Sequence, residues 1–209
     1  MARDGTATRN KILDAAEAMI LDQGFSATSI DRLVERAGTT KGSFFHHFDS
    51  KAVLAHTLVE RYAQNDMELF AANRARAEQL SRDPLQRALL VIGLYKEMME
   101  GLTEPYPGCL FASYLYEANL FDDQTMAVID NTYRQWRTIF GGMLEQAAEA
   151  YPPKIEVDCA HLADMFTATL EGAFIMSKTL KEPQLVAQQL GLLRDFVELL
   201  FQPISANPK

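Results

Sequence analysis

Two cysteines in 209 residues, Cys109 and Cys159, are too few and too far apart for a disulfide framework or a zinc knuckle. Long apolar runs are also missing. The most apolar stretch, ALLVIGLY at 88–95, is far shorter than the roughly 20 residues of a membrane helix. The opening MARDGTATRNK is polar and charged, which does not read as a secretory leader. No period-2 alternation is long enough for a strand, and no internal repeat is visible. Gly-rich phosphate loops, H-E-x-x-H and G-x-S-x-G are absent, so no catalytic, cofactor or metal signature stands out. These absences point to a helical, non-enzymatic protein of a reducing cytoplasm, without a membrane partner.

What is present is core and charge. The chain is 48% hydrophobic and 23% charged, enough for one substantial core or a small domain fused to a larger one. The formal net charge of −8 argues at first against nucleic acid. Its distribution weakens that argument. Residues 1–51 hold seven Lys/Arg and seven Asp/Glu, so residues 52–209 carry the whole excess. Phosphate contacts depend on local charge, and a balanced segment can present a basic face.

Helical periodicity runs almost throughout. Ile12, Leu13, Ala16, Met19 and Ile20 form one stripe, closed by Gly24. Thr28 is the expected cap of a second helix carrying Ile30, Leu33, Val34 and Ala37, with Asp31 as a weaker capping-box partner. Gly38 ends it. Thr39 or Thr40 caps a third, short helix with Phe44, Phe45 and Phe48. Asp49 or Ser50 caps a fourth, about 50–76. Further helices are expected over Leu85–Gly101, Cys109–Asn119, about Asp122–Ala150, Glu156–Leu180 and Pro183–Phe201. The class is all-α, with about nine helices. The division is an N-terminal three-helix helix-turn-helix domain at 1–52 and a larger ligand-binding and dimerisation domain at 53–209, linked by helix four.

Helices two and three, joined by Gly38-Thr39-Thr40, have the helix-turn-helix arrangement that lays its second helix in a major groove. So short a helix cannot stand alone, because nucleation is costly. Phe44 and Phe48, one turn apart, are its expected anchors, which leaves Thr40, Lys41, Ser43 and His47 free for DNA. Lys51 falls in the first turn of helix four, where the helix dipole disfavours a cation. A shared phosphate would resolve that conflict, and Thr28 and Ser29 offer similar donors. A metal site at His46-His47 is disfavoured, since adjacent helical side chains are expected to diverge.

The stretch ILDAAEAMILDQGFSATSIDRLVERAGTTKGSFFHHFDSKAVL resembles the N-terminal domain of the tetracycline-repressor (TetR/AcrR) family of bacterial transcriptional regulators. The resemblance covers about Thr8–Tyr62. It rests on the motifs GF-x-x-T-S-I, AG-x-x-K-G-S and F-x-x-HF-x-S-K. It implies an all-helical homodimer that binds a near-palindromic DNA operator and is released by a small effector held in the C-terminal domain. By the same resemblance, Thr39, Thr40, Lys41, Gly42, Ser43 and His46 face the groove, and Thr28, Ser29, His47 and Lys51 meet phosphates. Phe45 departs from the family's frequent tyrosine and lacks its hydroxyl. It either stacks on sugar or methyl groups or simply packs.

For the effector, mostly apolar, the candidate lining is Met98, Tyr106, Phe111, Tyr114, Trp136, Met165 and Phe166, with Glu117 and His161 as polar groups. Plain core is the competing reading of every apolar one. Cys109 is expected to open a helix, where a thiolate is stabilised. Its segment PGCLFASYLYE resembles a G-C-L…E stretch in branches of the family that include an electrophile or oxidant sensor. The plainer reading is a small buried hydrophobe. Cys159 lacks such a setting and reads as structural. The last two helices carry dense apolar stripes and the small Ala168, Gly172 and Ala173. This fits a two-fold four-helix bundle between subunits. The competing functions are a Cys109-dependent enzyme and a helical ligand-binding protein with a vestigial DNA motif.

Overall fold

The computed structural model describes residues 5–201. Among the described residues there are nine α-helices, one turn of 3-10 helix at Ala118–Leu120 and no strand. They fall into two compact units. One comprises the described residues up to Asp66 together with Pro107–Asn131. The other comprises Met67–Tyr106 and the described residues from Thr132 onward.

The first unit holds α1 (Gly5–Gln23), α2 (Ile30–Arg36), α3 (Lys41–His47), the start of α4 (Lys51–Leu80), α6 (Leu110–Tyr116) and the start of α7 (Asp123–Ala150). The α1 stripe is buried as its period requires. Gly24 ends the helix at φ +85°, a left-handed conformation that favours glycine, and its N–H donates to Ile20 O. Caps then set the short helices. Ser29 Oγ accepts from Arg32 N, Thr40 Oγ1 from Ser43 N and Ser50 Oγ from Val53 N. The cap of α2 is therefore Ser29 and not Thr28. The Thr28 hydroxyl turns back to donate to Gly24 O at 2.9 Å and is buried.

The second unit is built on α5 (Pro84–Glu100), α8 (Cys159–Leu180) and α9 (Leu185–Phe201), with α9 packed on both α5 and α8. Its centre is aromatic. Trp136 stacks on Phe166 at 5.4 Å, Phe70 lies 4.3 Å from Trp136, and Phe140 packs on Phe166. Asp158, as N-cap, starts α8 three residues later than the periodicity suggests.

Asp83 joins two elements of this unit. It caps α5 through Gln86 N and accepts the Tyr151 hydroxyl. The Tyr151 hydrogen bond, more than any other influence, holds the Asp83 carboxyl below its usual range. A depressed carboxylate pKa contributes stability that is complete above the ordinary carboxylate pKa and lost as pH falls through the lowered value. Tyr151→Phe should therefore move the acid-unfolding midpoint to higher pH, read by circular dichroism. An unmoved midpoint would show that the bond contributes nothing.

Candidate nucleic-acid interface

The α3 helix has seven residues and a fixed inner face. Phe44 and Phe48 are 0% and 1% exposed, 5.7 Å apart, and Arg9 of α1 stands 5.4 Å over the Phe48 ring. The outer face carries Lys41, Gly42 and His46, all exposed, and half-buried Ser43 and His47. Thr39 and Thr40 lead into it. Phe45 is 51% exposed, resting edge-on against Phe44 at 5.2 Å. Lys41 pairs with Asp31 at 2.6 Å, but both are well exposed. Such a surface pair is worth at most about 1 kcal/mol, so the ammonium is only weakly held by Asp31.

Three expectations change. Thr28 has its N–H committed to Phe25 O and its hydroxyl to Gly24 O, so it braces the turn and offers no free donor. Lys51 donates to Phe25 O at 2.5 Å and lies 3.9 Å over the Phe25 ring. Burial lowers its pKa, against the pull of Glu117. One of its three donors is thus committed to the α1–α2 turn. The His46 and His47 rings do not diverge: they meet edge to face at 5.1 Å. No group of three or more metal-capable side chains exists among the described residues.

The turn before α2 is gripped from a distant part of the chain. Phe25 packs on Phe121 at 4.7 Å and on Tyr114 at 6.2 Å, while Tyr114 and Phe121 stack at 4.2 Å. Tyr114 donates to Ala55 O at 3.0 Å, and burial first, then Glu17, pushes its phenol well above the ordinary range. Glu117 accepts Ser26 N at 2.7 Å and the Ser26 hydroxyl at 3.2 Å. A Cβ on Gly24 would run into the Glu117 carboxylate. Glu117, expected to contact an effector, is therefore occupied in fixing the turn before α2, as is Tyr114. Nothing in the local sequence signals a contact across 91 residues.

The remaining effector candidates scatter. Phe111 packs on Tyr62 at 4.9 Å in the first unit. Trp136 and Phe166 belong to the aromatic centre of the second, and Tyr106 stacks on Phe174 at 4.7 Å. Met98 and Met165 are partly in solvent. His161 is open to solvent on the first turn of α8, 3.7 Å from Asp158, so it is not an interior polar group. Cys109 is half-buried at the N-cap of α6. Cys159, contrary to expectation, also opens a helix. Burial first, then Glu145 and Asp158, nevertheless raises its pKa, which keeps it a thiol.

Among the described residues, no helix is long and apolar enough to cross a membrane. Residues 12–58 match the family model "Bacterial regulatory proteins, tetR family", and residues 84–191 match "Tetracyclin repressor-like, C-terminal domain". The chain is 22% identical over 178 residues to the HTH-type transcriptional repressor DhaR of Mycobacterium sp. (strain GP1), covering 85% of each. It is 25% identical over 197 residues to the uncharacterized HTH-type transcriptional regulator YxaF of Bacillus subtilis (strain 168), covering 89% of this chain and 94% of that one. A crystal structure of a TetR-family regulator from Agrobacterium tumefaciens shares the fold at a TM-score of 0.76 and 22% identity, over 95% of this chain and all of that one. A helix-turn-helix with an anchored inner face and a polar outer face, joined to a matching C-terminal half, leads to one conclusion: the chain belongs to the tetR family of bacterial regulatory proteins and is a DNA-binding transcriptional regulator.

Proposed function

We propose that this regulator is a cytoplasmic repressor without enzymatic activity. It works as a homodimer on a near-palindromic operator and is released by a small, mostly apolar effector in its C-terminal helices. The observation that carries the reading is the outward chemistry of α3. Thr39, Thr40, Lys41, Gly42, Ser43 and His46 read base edges. Ser29, His47 and the uncommitted donors of Lys51 meet phosphates. Phe45, without a hydroxyl, stacks on sugar or thymine methyl groups.

Dimerisation is supported by apolar surface left open on the last two helices. On α8, Met165, Ile175 and Met176 are exposed beside the small Ala168 and Gly172. On α9, Leu192, Phe196 and Leu199 are exposed at i, i+4, i+7. Each helix already buries a different stripe, so the second stripe suits a copy of itself. The α4 helix contributes residues to both units, which makes it the natural carrier of an effector signal to the reader.

A mobility-shift titration with the DNA upstream of the protein's own coding sequence tests the reading. Specific binding should weaken linearly in log affinity with log salt. Lys41→Ala and Ser43→Ala should change the order of preference among single-base operator variants, by about 1–3 kcal/mol for each base-edge hydrogen bond removed. Uniform weakening on every sequence would move both residues from base reading to backbone contact.

A further inference from the structure

The ion pair between α2 and α3 puts an acid beside a lysine that reads bases. Lys41 Nζ lies 2.6 Å from Asp31 Oδ1, and both side chains are more than half exposed. Neither residue caps its own helix. Ser29 Oγ caps α2 by accepting Arg32 N, and Thr40 Oγ1 caps α3 by accepting Ser43 N. The Asp31 carboxylate is turned across to the second helix instead. A carboxylate beside DNA repels phosphates and so weakens binding to every sequence alike. A donor on the DNA offsets that repulsion, and the donors exposed in the major groove are the amino groups of cytosine and adenine.

We propose that Asp31 and Lys41 together read one G·C base pair in each half-site. An ammonium has three donors, and a carboxylate has two oxygens with about four acceptor sites. A pair joined at one contact therefore keeps donors and acceptors for a second partner. Across the major groove a G·C pair presents guanine N7, guanine O6 and the cytosine N4 amino group: acceptor, acceptor, donor. O6 and N4 are hydrogen-bonded to each other and lie about 3 Å apart. That spacing suits Lys41 Nζ and Asp31 Oδ1, 2.6 Å apart. Lys41 donates to N7 and O6, while Asp31 accepts from N4.

The other base pairs fit less well. T·A keeps an acceptor beside a donor but puts a methyl group in place of N7. A·T sets its amino donor against the ammonium and thymine O4 against the carboxylate. C·G is the reverse of the pattern required. The order of affinity is G·C, then T·A, then A·T and C·G. The inference rests on Lys41 facing base edges. It goes beyond that reading by adding an acid from α2 and naming the base pair.

Fluorescence anisotropy of the full chain, on a duplex it selects from a random pool and on that duplex's single-base variants, tests the assignment. One symmetry-related G·C pair should follow the stated order, with about tenfold or more between G·C and A·T. N4-methylcytosine in that pair blocks the groove-facing amino hydrogen and leaves base pairing intact. It should weaken binding by the unaltered protein by about tenfold or more. Asp31→Ala should lose this sensitivity and bind unselected DNA more tightly, a gain that a merely structural role would not produce. The N4-methylcytosine measurement needs no substitution, so it decides the matter if Asp31→Ala fails to fold. Uniform weakening by Lys41→Ala would overturn the proposal together with the base-reading role of Lys41. If Lys41→Ala did change base preference, the proposal alone would fall on either of two results: N4-methylcytosine without effect at every G·C pair, or full sensitivity retained by Asp31→Ala.

Discussion

Phe44→Ala should destabilise the N-terminal unit by about 3–5 kcal/mol and remove operator binding. Phe44 is wholly buried and packs against both Phe45 and Phe48. The helix it anchors has seven residues, too few to hold itself together against the cost of nucleation. Its Thr40 cap satisfies one backbone donor, worth roughly 1 kcal/mol, which cannot replace the ring. Since domains are stable by only about 5–15 kcal/mol, the loss takes a large share of the total. Urea unfolding gives the stability change, and hydrogen exchange at α3 amides shows whether the loss is local. Phe45→Ala is the contrast. That side chain is half in solvent, so stability should shift by about 0.5 kcal/mol or less while DNA affinity falls. If the two substitutions behaved alike, the division of α3 into an anchored face and a reading face would be wrong.

Phe196→Asp should give a monomer whose operator affinity is lower by about 10²–10⁴-fold, the advantage that linking two modest binding events confers. The side chain is 39% exposed at the centre of the open α9 stripe, between Leu192 and Leu199. In a separate chain, aspartate there would stay hydrated and the fold would survive. In the proposed dimer it would be an unpaired charge removed from water, a penalty of several kcal/mol. Sedimentation velocity reads the mass, and fluorescence anisotropy reads the affinity. A variant that stayed dimeric with native affinity would place the subunit interface elsewhere.

The sequence made the helices legible because burial repeats at helical spacing and because the breaks are chemical. Gly24 and Gly38 both have positive φ, as closing glycines should. The anchors of α3 were also readable: Phe44 and Phe48 are one turn apart and buried, and His46 lies off that line and is exposed, whereas Lys41 shares the anchors' line by spacing and is exposed all the same. Contacts between distant segments were not readable. Thr28 and Ser29 are both good caps locally, and the choice fell to Ser29 because Thr28 is drawn into the turn by Gly24 O. Glu117 looked like a ligand group because an acid among aromatic residues invites that reading, yet its partner is Ser26. His161 and Met165 show the opposite limit. An apolar or titratable residue on a helix does not reveal whether its face is inward, and theirs are open.

The central claim is that α3 acts as one of two identical probes on a single DNA face. Selection of a duplex from a random-sequence pool, followed by hydroxyl-radical footprinting on the winner, tests it most directly. Paired probes should select a two-fold symmetric sequence and protect two patches about one helical turn, roughly 34–36 Å, apart. Enrichment of no sequence, or one patch on an asymmetric site, would contradict it.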